Sequence, residues 1–258
     1  YLAPTTFVPW YLLVNRTVIS TNIMMFFWEV AGFIWNAYFY SMLIVFWRQS
    51  VTNATYINNI YFVGSTIWML MLGVACRYYG HIKYYSLTLG IPVVMLGTGL
   101  MIKYRTKETD IRLVIMCQII VLIGSGTMYP FEQMTLMAVS PPQHVAALLA
   151  VESLLASAGK AVGSAIASAI WTGVFSDRLA RYLPKSALPD LSTIYGDIDT
   201  QSSFVDGSPE RLGVTHSYAD TQRIMLIAST CLYVVTFVAV LCWEDIDVKK
   251  MKKLTRVA

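Results

Sequence analysis

The chain has 258 residues, of which 56% are hydrophobic and 13% charged, with a mean hydropathy of +0.56 and a formal net charge of +4. A soluble domain carries about 25% charged residues, so the deficit excludes an ordinary soluble fold and points to a membrane protein. The small net charge gives no sign of a nucleic-acid partner.

Residues 1–17 show no basic region ahead of a cleavable apolar core, so no signal peptide is expected. The chain begins with Tyr1 rather than methionine and reads as a piece of something longer, with 1–17 as a lead-in. Six stretches reach the roughly twenty apolar residues that a span requires: 18–47, 54–76, 83–102, 111–139, 145–175 and 224–243. The predicted fold class is therefore an all-α membrane protein, a six-helix bundle. Residues 176–223, rich in Asp, Ser, Pro and Gly, form a long polar connection, and 244–258 a basic tail.

The first span holds FFWEVAGFIWNAYFYS, with eight aromatic rings and no basic residue. At 100° per residue, Asn22, Glu29 and Asn36 follow one another at steps of about 20°, spanning about 40° in all, and Tyr40 joins them. Polar groups facing lipid cost several kcal/mol, so this face turns inward, toward a polar seam between helices or a hydrated cavity. Glu29 favours the cavity, with Trp35 beside it.

The fourth span contains GSGTMYPFEQ. Pro130 frees the carbonyl of Gly126, so a kink is predicted, with Gly124 and Gly126 weakening the helix further. Tyr129, Glu132 and Gln133 then become candidate cavity residues. The alternative is that Glu132 lies at the aqueous end of the helix and is merely solvated.

In the fifth span Lys160 stands about 22 Å from either end, too far to snorkel. It needs an acidic partner on another helix, Glu29 or Glu132. Ser153, Ser164 and Trp171 share its side of the helix. Ala156, Gly159, Gly163 and Ala167 form an adjoining small-residue stripe that admits a neighbouring helix closely.

Within the polar connection, Ser208-Pro209-Glu210 reads as a helix N-terminus. Tyr195, Phe204 and Tyr218 are candidates to present aromatics above the cavity mouth, making the loop an outer gate; a passive connector is the alternative. Cys76, Cys117, Cys231 and Cys242 lie in apolar runs without metal-ligand spacing. No metal site, cofactor or catalytic constellation is expected, so the chain does not read as an enzyme. Lysine and arginine in the connections number eight on one side, and five or ten on the other depending on the long loop. The positive-inside rule leaves the orientation open.

The runs RYYGHIKYYSLTLGIPVVMLGTGLMIKYR, MCQIIVLIGSGTMYPFEQMTLMAV and QHVAALLAVESLLASAGKAVGSAIASAIWTGVF resemble fungal siderophore–iron transporters of the major facilitator superfamily. So do the loop YGDIDTQSSFVDGSPERLGVTHSYADTQR and the tail WEDIDVKK. The resemblance covers nearly the whole chain and implies its place as the C-terminal six-helix half of such a transporter. It further implies cytoplasmic ends, residues 176–223 as an extracellular loop, and a plasma or endosomal membrane location. The implied function is import of ferric siderophores by proton symport with alternating access, so the implied partners are the ferric siderophore, protons, the bilayer and the N-terminal half. By the same resemblance, Asn36 stands where an acidic residue is expected, and Lys160 where small residues are usual. The alternatives are a proton-coupled drug or organic-anion exporter of the same superfamily and a non-transporting membrane receptor.

Overall fold

A computed structural model describes residues 8–106 and 109–247, without the side chains of 77–79. The lead-in before residue 8, Lys107, the side chain of Arg77 and the basic tail after residue 247 lie outside the described residues. Among the described residues, six helical spans are long and apolar enough to cross a membrane: Arg16–Val45, Val51–Cys76, Ile82–Tyr104, Ile111–Val139, Pro142–Tyr182 and Pro209–Leu241. The protein is a multi-pass integral membrane protein with an all-α fold.

Short polar residues start the helices where the sequence places them. Asn15 accepts from the Thr17 and Val18 amides, Ser50 from Asn53, Asp110 from Arg112 and Ser208 from Arg211. Each side chain thereby satisfies a backbone donor that the first helical turn leaves without a partner.

The first span is the most buried and packs against the fifth and sixth; the fourth packs against the second and third. The two larger apolar clusters among the described residues fill most of the bundle. One gathers Trp28, Trp35, Val94, Val121, Tyr233 and Trp243, the other Ile34, Met42, Trp171, Phe175 and Tyr218. The first span is interrupted: its main helix Arg16–Asn36 ends at Ala37, and Tyr38 takes a left-handed φ of 58° before the helix resumes at Phe39–Val45. A bulky residue seldom adopts that conformation. Here the Tyr38 ring stacks on Trp171 at 4.0 Å, which sits in a π-helical turn, Trp171–Phe175, of the fifth span.

The fourth span stays α-helical through Pro130, and it is the first span that is interrupted. Gly124 and Gly126 serve packing, since a Cβ on them would lie 2.5 Å from the Gly90 carbonyl and 2.6 Å from that of Ser65.

In residues 176–223 the helix start read at Ser208-Pro209 is present, while the bounds of the flanking spans are corrected. Ser176–Tyr182 continues the fifth span, and Leu191–Gly196 and Ile198–Ser203 are short helices. The last helix begins at Pro209, not 224. A hydropathy reading finds only the apolar part of a helix whose first turns are polar. Arg211 ties this region together, donating to the carbonyls of Gln201 and Val45. Tyr218 donates to Gln201 Oε1 at 2.8 Å, and Arg48 pairs with Asp206 at 2.9 Å. At the opposite end of the bundle Lys83 donates to the carbonyls of Leu241 and Trp243, at 2.9 and 2.6 Å.

Candidate functional site

A cavity of about 580 Å³ opens between the first, second, fourth and fifth spans. Glu29, Gly32, Phe33, Asn36, Ala37 and Tyr38 reach it from the first span, and Tyr61 and Phe62 from the second. Tyr129 comes from the fourth, and Lys160, Ser164, Ala167 and Ser168 from the fifth. The floor is aromatic, with hydroxyl, amide and charged groups spaced around it, a lining suited to a bulky ligand with polar edges.

Glu29 and Asn36 lie on one face because seven residues make nearly two turns of helix. Glu29 is the acid that Lys160 meets. The ammonium lies 3.9 Å from Glu29 Oε1, and Tyr129 donates to the same oxygen at 3.4 Å. The two charges differ in exposure: the Glu29 side chain is 5% accessible and that of Lys160 47%. Their approach depends on the small residues of the fifth span. Gly159 lets the Phe26 carbonyl and Glu29 Cβ come within 2.5 and 3.1 Å of where its own Cβ would stand, and Gly163 does the same for the Val30 carbonyl at 2.7 Å.

Five residues that the sequence placed on the cavity do not line it. Asn22 is buried below and donates to the Val18 carbonyl. Trp35 faces the bundle core, edge-on to Tyr61 at 5.2 Å, so it supports the wall from behind. Tyr40 follows the interruption at Tyr38, where the 100° progression no longer holds, and packs with Phe39, Leu43 and Val114. Gln133 is exposed outside the cavity. Glu132 is neither solvated nor on the wall: it is 1% accessible, and neither carboxylate oxygen has a hydrogen-bonding partner among the described residues.

The three aromatics expected at the mouth are corrected likewise. Tyr218 is 1% accessible and packs with Trp171 and Phe175; Tyr195 leans on Phe175 and Phe204 joins the same cluster. They build the core of the folded connection.

Sequence reading missed Tyr38, Tyr61 and Phe62. No charge or periodic polar pattern singles out Tyr61 among the aromatics of its span. It also missed Arg105, which reads as a solvated loop cation but is 2% accessible. Its guanidinium lies 4.3 Å from the Phe39 ring centre and donates to the Trp35 carbonyl at 3.1 Å and Gln222 Oε1 at 2.6 Å. Gln222 in turn donates to the Ala37 carbonyl at 3.0 Å. This pair fixes the break from which Ala37 and Tyr38 enter the cavity.

No family model matches the chain. It is 42% identical to "MFS siderochrome iron transporter 1" of Ajellomyces capsulatus, over 98% of this chain and 43% of that protein. It is 34% identical to "MFS siderochrome iron transporter D" of Aspergillus fumigatus, over 97% of this chain and 42% of the relative. "Siderophore iron transporter mirB" of Emericella nidulans is also 34% identical, over 98% of this chain and 42% of its own length. The chain thus spans about two fifths of the length of these curated relatives. By this continuous relationship the chain belongs to the fungal siderochrome iron transporters of the major facilitator superfamily, and corresponds to their C-terminal part.

Proposed function

We propose that the chain supplies the C-terminal half of an importer of ferric siderophores, and that the wall built around Glu29 and Lys160 is part of the substrate path. The observation that carries this reading is a charged pair set among aromatic side chains on a cavity inside a membrane bundle. Charges at such depth are rare and typically face a water-filled route. A chelated iron presents oxygen-rich edges and organic bulk rather than a bare ion, so hydroxyls, an amide and aromatic faces suit it better than a ring of carboxylates.

Proton symport with alternating access is the proposed energy source, with Glu29 as the proton carrier. Its carboxylate stands between the cavity and the bundle, within reach of a phenol and an ammonium that respond to its charge. The N-terminal half of the transporter is the proposed partner. The second and fifth spans are the least buried, exposing Tyr56, Val63, Ile67, Leu70, Leu154 and Val162, and would receive it. The ends of the chain then face the cytoplasm and residues 183–208 the outside.

The test is uptake of a panel of radiolabelled ferric siderophores by the full-length protein in cells without other siderophore uptake, over a range of external pH. Accumulation that rises with acidity, and that Glu29→Gln uncouples from pH, is expected. Export instead of import would overturn the reading, and a Glu29→Gln variant with full pH dependence would remove Glu29 from coupling.

A further inference from the structure

The cavity wall carries two opposite charges but presents them unequally. Glu29 is turned into the bundle, 5% accessible and taking the Tyr129 hydroxyl. Lys160 extends from the edge of the fifth span with about half of its side chain accessible. At 3.9 Å the pair is longer than the roughly 2.8 Å of a charge-assisted hydrogen bond, so the ammonium keeps donor capacity that Glu29 does not use. Ser164 and Ser168 follow Lys160 along the same wall, at one and two helical turns, and both are exposed to the cavity. Across from them stand the amide of Asn36 and the phenols of Tyr38 and Tyr61. Lysine offers three donors and no acceptor, whereas the serine and tyrosine hydroxyls and the asparagine amide can donate or accept. A ligand entering this space therefore meets adaptable polar groups and, on Lys160, an accessible positive charge.

We infer that this wall selects ferric chelates that carry a free carboxylate or a net negative charge, with Lys160 as the specificity-determining contact. The inference rests on the import reading and names its substrate class. A neutral chelate would strip water from the ammonium and return only uncharged oxygen acceptors, whereas a carboxylate supplies a charged one in the same place. Gly159 and Gly163 hold the backbone bearing Lys160 hard against the first span, so the ammonium is presented from a fixed support.

The experiment compares two radiolabelled ferric trihydroxamates built on one scaffold, one neutral and one with an added free carboxylate, in cells relying on the full-length protein. Binding of both to the purified full-length protein is followed in parallel by quenching of tryptophan fluorescence. The native protein is expected to favour the carboxylated chelate in KM and in binding. Lys160→Gln should erase that preference by about tenfold or more, the scale of one charge-assisted hydrogen bond. Lys160→Arg, which keeps the positive charge, should retain most of it. An unchanged preference in Lys160→Gln, or a native preference for the neutral chelate, overturns the inference. Lysine-dependent binding of the carboxylated chelate without uptake would instead sink the import reading and leave charge selection standing.

Discussion

Arg105 donates to Gln222 Oε1 at 2.6 Å, and between them these two side chains take the carbonyls of Trp35 and Ala37 where the first span breaks. A helix that ends inside a bundle leaves carbonyl groups that water cannot reach. The sixth span and the end of the third supply the donors. Arg105→Ala and Gln222→Ala should each cost about 2 kcal/mol, the price of leaving a buried acceptor unpaired. Because each residue serves the other, the double variant should lose less than the sum. Thermal unfolding of the full-length protein in detergent reads this; strictly additive losses would refute the shared role.

The contact between the first and fifth spans depends on two missing side chains. Gly159→Ala places a methyl 2.5 Å from the Phe26 carbonyl, and Gly163→Ala places one 2.7 Å from that of Val30. Backbone cannot yield there as a flexible side chain would, so each should destabilise by about 1–3 kcal/mol. Gly99 has nothing within 4 Å of a built Cβ. Gly99→Ala should therefore be neutral or stabilise by up to about 1 kcal/mol. The same unfolding measurement separates the two classes, and equal behaviour of all three would overturn the packing assignment.

Asp197 opens the short helix Ile198–Ser203, accepting from the Thr200 hydroxyl and from the Thr200 and Asp199 amides. The Thr200 hydroxyl first, and then these amides, hold its carboxyl below the ordinary aspartate range. With the folded value the lower one, the cap contributes fully above the range of an unfolded aspartate, and its contribution is lost as pH falls through the folded value. Protection of the Asp199 and Thr200 amides against hydrogen exchange should therefore fall at acidic pH and not between neutral and mildly alkaline pH. Asp197→Asn keeps an accepting oxygen and should flatten the acid limb. Protection that ignores acid in the native protein would count against the cap.

Cavity exposure can be read by thiol chemistry. In a cysteine-free version of the full-length protein, Ser164→Cys and Ser168→Cys should react readily with a small water-soluble thiol reagent, and bound ferric chelate should slow both. Asn22→Cys, at a buried position off the cavity, should react at least on the order of tenfold more slowly. Equal rates at all three positions would contradict the described wall.

The six spans, the inward turn of Glu29 and Asn36, the need of Lys160 for an acidic partner and the small-residue stripe were legible in the sequence. Each follows from helical period together with the cost of exposing charge or bulk in the wrong medium. What escaped depends on contacts distant in the chain. The left-handed Tyr38 is held by stacking on Trp171, more than a hundred residues away, and its break carried Tyr40 off the predicted face. Arg105 looks like any loop cation until Gln222 and Phe39 close around it. Tyr195, Phe204 and Tyr218 were seen as aromatics of a polar connection, but their packing partners belong to the fifth and sixth spans.

The close seating of Gly159 and Gly163 also limits how the bundle can move. Two helices whose backbones touch cannot slide past one another by a rung without driving a larger side chain into a carbonyl. Alternative registers are therefore denied to this seam. Under the proposed alternating access, the first and fifth spans would have to tilt together as one lever, with the ammonium and the hydroxyls keeping their mutual spacing.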